Sequence, residues 1–190
     1  MIKPEDTHII NLFYDNKNFL SKSNQLRPAL FLDRDGVIIK DVNYICDPDE
    51  VELEIDAKKI IRHFFNKGFP IVIITNQSGI SRNFFSWEDY IKVNNKILQL
   101  FGEPNPITAI YANGLGPDSS EYSWRKPSPE MILNASFSLK IDLGKSILIG
   151  DRLSDIKSGL KAGIKNIFHV ETGHGKNEKK HVSNYIKAES

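Results

Sequence analysis

The chain has 190 residues, enough for one domain of ordinary size and too few for two. Hydrophobic residues make up 40% and charged residues 26%, a globular balance that excludes a disordered or fibrous polypeptide. With 25 Lys and Arg against 24 Asp and Glu there is no general basic field to favour nucleic acid.

In chain order, the opening MIKPEDTHII carries charge and proline where a secretory signal needs an apolar stretch. No run approaches the ~18 apolar residues that a membrane span requires. A monomeric cytoplasmic protein with neither membrane nor nucleic acid as partner is expected. Residues 1–27 read as an N-terminal extension, in which Ile9, Ile10, Leu12 and Phe13 form a short amphipathic element and Asp15–Gln25 a polar linker. A domain over 28–173 follows, marked by five short apolar runs: Ala29–Leu32, Ile71–Thr75, Ile107–Tyr111, Ile147–Ile149 and Asn166–Val170. They show little polar alternation, as strands covered on both faces do. Between them lie stripes of helical spacing. Ala57, Ile60, Ile61, Phe64 and Phe65 form the first, with Asp56 as N-cap and Gly68 as stop. Trp87, Tyr90, Ile91, Asn94, Ile97, Leu98 and Phe101 form the second, opened by Ser86 and closed by Gly102. Met131, Ile132, Ala135 and Leu139 make a third after Ser128-Pro129, and a shorter helix runs from about Ser154 to Ala162. Strand–helix alternation of this kind predicts an α/β fold: a three-layer, Rossmann-like parallel sheet with helices on both faces. Residues 174–190 are polar and basic and read as a solvated tail that can end in a short helix, with Gly173-His174-Gly175 as a surface turn in preference to a segment reaching the site.

Four polar clusters each follow an apolar run. They are Asp33-Arg34-Asp35-Gly36, Thr75-Asn76-Gln77-Ser78-Gly79, Arg125-Lys126-Pro127 and Gly150-Asp151-Arg152, with Asp155 close behind the last. Each alone is ordinary: Asp before Gly is a common turn, and Arg-Lys-Pro reads as solvated charge. Together they converge, because sites in such folds lie beyond the carboxyl ends of the strands. Asp33 and Asp35, two apart on extended chain, project to one side. Crowding them with Asp151 calls for a cation, and hard oxygen donors suit Mg²⁺ with a substrate phosphate as a further ligand. Thr75 and Asn76 offer donors for phosphate oxygens, Lys126 a compact charge, and Arg125 and Arg152 forked donors for a second anionic group. This is the inventory of a phosphoryl-transfer site with a carboxylate nucleophile.

The ordered set DRDGV, TNQSGI, RKPSPEM and GDRLSD resembles the haloacid dehalogenase superfamily, from about Arg27 to Gly173. More narrowly, it is similar to the branch that holds heptose bisphosphate and histidinol phosphate phosphatases. The resemblance implies Asp33 as the nucleophile forming an aspartyl-phosphate and Asp35 as the acid–base. It implies Mg²⁺ on Asp33, the backbone carbonyl of Asp35, and Asp151. Thr75 and Asn76 hold the transferring phosphate, and Lys126 neutralises it. Arg34, Asp41, Asn43, Tyr44, Gln77, Ser78, Arg125 and Arg152 line the substrate site, while Asp155 either orients Lys126 or contacts the metal. The implied activity is removal of the 7-phosphate of a heptose 1,7-bisphosphate for nucleotide-activated heptose synthesis. Alternatives are another small ester such as histidinol phosphate, or a non-catalytic phospho-ligand-binding protein on the same fold.

One departure from the branch stands out. Its members carry a zinc loop before the RKP motif, built from Cys-x-His and Cys-x-Cys. The matching positions here are Ala112, Gly114, Tyr122 and Trp124. None can bind zinc, so no zinc is expected, and Tyr122 and Trp124 are candidate plugs for the loop. The segments Gly36–Asp56 and Ala112–Trp124 are too short for a folded cap domain. Selectivity then falls to short loops and to Arg125 and Arg152, which favour a sugar bisphosphate.

Overall fold

The computed structural model describes residues 9–13, 25–118 and 123–189. Ile9–Phe13 (β1), Leu30–Leu32 (β2), Ile71–Asn76 (β3), Ile107–Asn113 (β4), Ile147–Gly150 (β5) and Asn166–His169 (β6) form one six-stranded sheet in the order β1-β4-β3-β2-β5-β6. Strands β2 to β6 pair in parallel, with Leu30 beside Ile71 on one flank and Ile147 on the other. The helices are Ala57–Asn66 (α1), Trp87–Phe101 (α2), Glu130–Leu139 (α3), Leu153–Lys161 (α4) and Gly175–Glu189 (α5).

The two-residue period of the strands sorts the core into two layers. Leu30, Leu32, Ile71 and Ile73 face one side, where Ile61 of α1 and Tyr90, Val93, Ile97 and Phe101 of α2 cover them. Phe31, Val72, Ile74 and Tyr111 face the other, under Met131, Ile132 and Ala135 of α3. This is the three-layer architecture that the alternation predicts. Ser86 opens α2 with a reciprocal capping box to Asp89. Asp56 sits at the N-cap of α1 but caps nothing with its side chain, because its backbone is left-handed there (φ 66°).

Two elements lie outside the 28–173 span. β1 is antiparallel to β4 and closes what would otherwise be an open sheet edge, with Ile9 opposite Asn113 and Phe13 opposite Ala109. The amphipathic element read at Ile9–Phe13 is therefore an edge strand, while residues 1–8, most of the 15–25 linker and Tyr122 lie outside the described residues. α5 replaces the solvated tail. It packs on α4 and β6, buries Val182, and sets Tyr185 under the Lys157 ammonium at 4.7 Å.

Between β2 and α1 the chain makes only a small flap, in which Ile39 bridges Leu53 and Lys40 N donates to Glu52 O at 2.9 Å. No folded cap covers the carboxyl ends of the parallel strands among the described residues. No helix of the described residues is long and apolar enough to cross a membrane.

Candidate active site

The carboxyl ends of β2, β3 and β5 deliver the polar clusters to one cavity of about 450 Å³. Its floor holds three carboxylates, Asp33, Asp151 and Asp155, whose oxygens lie within 4.8 Å of one another. The Lys126 ammonium is set among them, 2.9 Å from Asp33 Oδ1, 2.6 Å from Asp155 Oδ1 and 2.9 Å from the Ile74 carbonyl. Its position comes from Asn76, at the end of β3. The Asn76 side-chain oxygen accepts Lys126 N at 3.0 Å and its amide donates to Lys126 O at 3.1 Å. Asp155 is held in turn by the first turn of α4, where its Oδ2 accepts Arg152 N at 2.9 Å. Gly150 is required beneath it, since a Cβ there would lie 2.3 Å from that of Asp155.

Of the three carboxylates only Asp33 borders the cavity. Burial drives its pKa up to about 8 against the pull of Lys126, and Asp155, Asp151 and Asp35 push the same way. Burial likewise lifts Asp151 to about 6, with Asp155 adding to it and the His174 N–H opposing. Burial works against the Lys126 charge, but Asp155 and Asp33 more than offset it, and its pKa is raised.

This floor fits a divalent cation. Asp155 already spends its oxygens on Lys126 and the Arg152 amide. Asp151 Oδ2 accepts His174 N at 2.8 Å, while its Oδ1 is buried with no hydrogen-bond partner. An orphaned carboxylate oxygen beside the Asp33 carboxylate suits a hard cation such as Mg²⁺. Gly36 and Gly173 both hold positive φ and pinch this carboxylate, and a Cβ on either would stand 2.6–2.7 Å from Asp151 Oδ2.

Asp35 also borders the cavity, with its carboxylate steered from behind. Arg34 Nη2 donates to Oδ1 at 2.9 Å and Gln77 Nε2 to Oδ2 at 2.8 Å. Two residues expected at the substrate engage their polar groups inside the protein, although Arg34 still forms part of the cavity wall. Arg34 turns its guanidinium inward, only 1% exposed, onto Asp35, Gln77 Oε1 and the Tyr90 ring at 5.0 Å. Burial opposes its charge, but Asp35 outweighs that and raises its pKa. Thr75 is buried behind the wall, and its hydroxyl accepts Gln77 Nε2 at 2.7 Å. Both face inward because alternate residues along a strand end point to opposite sides.

The rim brings together Asp41, Asn43, Tyr44, Ser78, Arg125 and Arg152 from the sequence reading, and adds Arg82, Ser154 and His174. His174 does lie in a turn, but its side chain reaches the rim. Its Nε2 lies 2.9 Å from Asp41 Oδ2, and Arg152 reaches the same oxygen at 3.7 Å. The flanking Gly173 is the one sequence signal for this, marking a close approach to Asp151 and not a free turn. The described ends of the loop from Ala112 to Trp124 are held by packing and a hydrogen bond. Trp124 packs at a tilt on Tyr111, ring centres 5.7 Å apart, and Arg125 Nη1 donates to Leu115 O at 2.9 Å.

Residues 123–187 match the family model HAD-hyrolase-like. D-glycero-alpha-D-manno-heptose-1,7-bisphosphate 7-phosphatase of Photorhabdus laumondii is 38% identical over 167 residues, covering 82% of this chain and 88% of that protein. The chain belongs to the HAD-like phosphatase family. A second relative, D-glycero-beta-D-manno-heptose-1,7-bisphosphate 7-phosphatase of Mesorhizobium japonicum, is also 38% identical, over 72% of this HAD-like chain and 66% of its own length. Among solved structures, D,D-heptose 1,7-bisphosphate phosphatase from B. bronchiseptica, complexed with magnesium and phosphate, superimposes with a TM-score of 0.74. It is 27% identical and covers 81% of this chain and 86% of that one.

Proposed function

We propose that the chain is an Mg²⁺-dependent phosphatase that removes the 7-phosphate of D-glycero-D-manno-heptose 1,7-bisphosphate through an aspartyl-phosphate on Asp33. The observation that carries this reading is the opening of Asp33, alone of three clustered carboxylates, into a cavity with Lys126 at 2.9 Å. Residues 28–173 supply the catalytic domain, and the enzyme acts as a cytoplasmic monomer on a small sugar phosphate. Asp33, Asp151 and the backbone carbonyl of Asp35 would hold Mg²⁺, which when bound neutralises the carboxylates and the phosphate charge; zinc has no role.

The protein groups then divide the work. Asp33 attacks phosphorus, the bond from phosphorus to the sugar oxygen breaks, and Asp35 gives its proton to that oxygen. Asp35 next takes a proton from water, whose oxygen attacks the phosphorus of the aspartyl-phosphate and releases inorganic phosphate and the Asp33 carboxylate. Lys126 balances charge on the transferring group, with the Asn76 amide and Ser78 beside it. Arg34 and Gln77 aim Asp35 from the interior. Asp155 keeps Lys126 in place.

The test is Mg²⁺-dependent phosphate release from both anomers of the heptose bisphosphate, histidinol phosphate, fructose 1,6-bisphosphate and an aryl phosphate. A kcat/KM for one heptose anomer about a hundredfold above the other classes is expected from discrimination by charged contacts. Flat activity across the panel would remove the heptose assignment and leave the chemistry.

A further inference from the structure

The apolar stripe of α2 has a polar interruption. Asn94 falls between Tyr90 and Ile97 on the face that packs on the sheet, is 0% exposed, and stands where the helical period calls for an aliphatic side chain. Its Nδ2 is buried with no hydrogen-bond partner, so a polar group is kept here at a cost to the core. Its Oδ1 accepts Arg34 Nη1 at 3.4 Å, and that contact leads to the site.

We propose that Asn94 is a positioning residue for the general acid, acting through Arg34 on Asp35. The inference rests on the phosphatase reading above and deepens it. The buried Arg34 guanidinium is the link. Its Nε donates to Asp35 Oδ1 at 3.1 Å and Oδ2 at 3.2 Å, and its Nη2 is divided between Asp35 Oδ1 at 2.9 Å and Gln77 Oε1 at 3.0 Å. A planar fork held along one edge can still tilt against the carboxylate it grips. Here the far corner, Nη1, is pinned by Asn94, and the face of the fork lies 5.0 Å from the centre of the Tyr90 ring, one helical turn before Asn94. Arg34 and Asp35 are neighbours beyond the end of β2, so neither can serve as a reference for the other. α2 can, because it is closed at its start by the Ser86–Asp89 capping box and buries Tyr90, Val93 and Ile97 against the sheet.

The aim of an acid matters in proportion to the leaving oxygen's need for a proton. A sugar alkoxide is strongly basic, so its bond to phosphorus breaks as Asp35 delivers a proton to that oxygen. p-Nitrophenolate is weakly basic. With that ester Asp33 attacks phosphorus, the bond from phosphorus to the phenol oxygen breaks, and the phenolate leaves with the bonding pair and no proton. Both esters use the same Asp33 and Lys126. Loosening Asp35 therefore slows the first step on the sugar ester and spares it on the nitrophenyl ester, whereas a general loss of packing slows both.

Single-turnover rates, with enzyme in excess and Mg²⁺ saturating, isolate that first step as release of heptose 1-phosphate from heptose 1,7-bisphosphate or of p-nitrophenolate from p-nitrophenyl phosphate. Asn94→Leu suits the apolar stripe and removes the acceptor. Its rate on the bisphosphate should fall about tenfold, a share of what a well-aimed acid supplies, while its nitrophenyl rate stays within about twofold of the wild type. Asn94→Asp keeps an acceptor for Nη1 and should recover most of the loss. Tyr90→Leu takes the ring from the guanidinium face and should show the same selective fall, and it carries the comparison if Asn94→Leu does not fold. Equal losses on the two esters, or no loss on either, would overturn the positioning role and leave the phosphatase reading intact. A wild type that releases neither product would overturn both.

Discussion

The floor and the rim of the cavity are built on opposite plans. The floor is closed: Asp151 is buried just beyond β5, Asp155 in the first turn of α4 and Lys126 on a turn that Asn76 of β3 ties down, and each position is set by at least one neighbour. The rim is open and loop-borne, with Tyr44 42% exposed, the Arg152 side chain 45% exposed, and Arg82 and Arg125 held through backbone carbonyls and a tyrosine hydroxyl. Chemistry that never varies with the substrate needs fixed charges in a low dielectric. Selectivity can sit on loops, where substitution leaves the core packing untouched. Variants of the floor should therefore abolish turnover on every ester, and variants of the rim should change which ester is preferred.

The largest effect is expected from Asp33→Asn. It keeps the shape of the floor and removes the attacking oxygen, so kcat should fall by about 10³-fold or more on bisphosphate and aryl phosphate alike. A loss confined to one ester would move Asp33 out of the floor's common chemistry. Lys126→Met comes next. It leaves three carboxylates without the ammonium that lies 2.9 Å from Asp33 and 2.6 Å from Asp155. Activity should fall by about 10²-fold, and stability by about 3 kcal/mol, the usual scale for breaking a buried ion pair. Chemical denaturation beside a phosphate-release assay measures both.

The difference between the regions also explains what the sequence made readable. Asp33, Asp151 and Lys126 follow apolar runs, and the rule that strand ends face the site places them together without coordinates. Facing is another matter. Arg34 and Thr75 sit in the same motifs, yet the guanidinium of one and the hydroxyl of the other point inward, and no spacing separates an Arg aimed at substrate from one aimed at Asp35 and Tyr90. Arg82 was illegible, and His174 stayed open between the site and a surface turn, because each reaches the rim through loop geometry, the first by the tie of Ser81 to Gly114 and the second by the pinch of Gly173 on Asp151. β1 and α5 were legible only in outline, the first as an amphipathic element and the second as a short helix ending the tail. The pairing of β1 with β4 and the docking of α5 on α4 and β6 are long-range contacts, which local periodicity does not report.

Removing the metal should expose the electrostatic cost of the floor. Burial raises Asp33 to about 8 and Asp151 to about 6, whereas an unfolded chain holds such groups near 4. The folded, metal-free protein thus binds protons more tightly than the unfolded one. Stability contributed by these protons is complete at low pH and is lost as pH rises through the interval from about 4 to about 8. Thermal midpoints in chelator should decline across the upper part of that interval, and Mg²⁺ should flatten the decline by taking the place of the protons. A midpoint that rises with pH in chelator, or a slope indifferent to Mg²⁺, would show that these carboxylates do not form the cation site.

The smallest effect belongs to the loop between floor and rim. Trp124 packs at a tilt on Tyr111, ring centres 5.7 Å apart, where it closes the second core layer beneath Arg125. Trp124→Ala should cost about 2 kcal/mol, less than for a fully buried aromatic because the side chain is half-exposed. The loosened loop also carries Leu115, whose carbonyl fixes Arg125, so the bisphosphate KM should rise a few-fold with kcat nearly unchanged. Trp124→Phe should restore most of both losses, since it keeps an aromatic face against Tyr111. If kcat fell as far as KM rose, the loop would be supporting the floor as well as the rim, and the division between the two regions would not hold there.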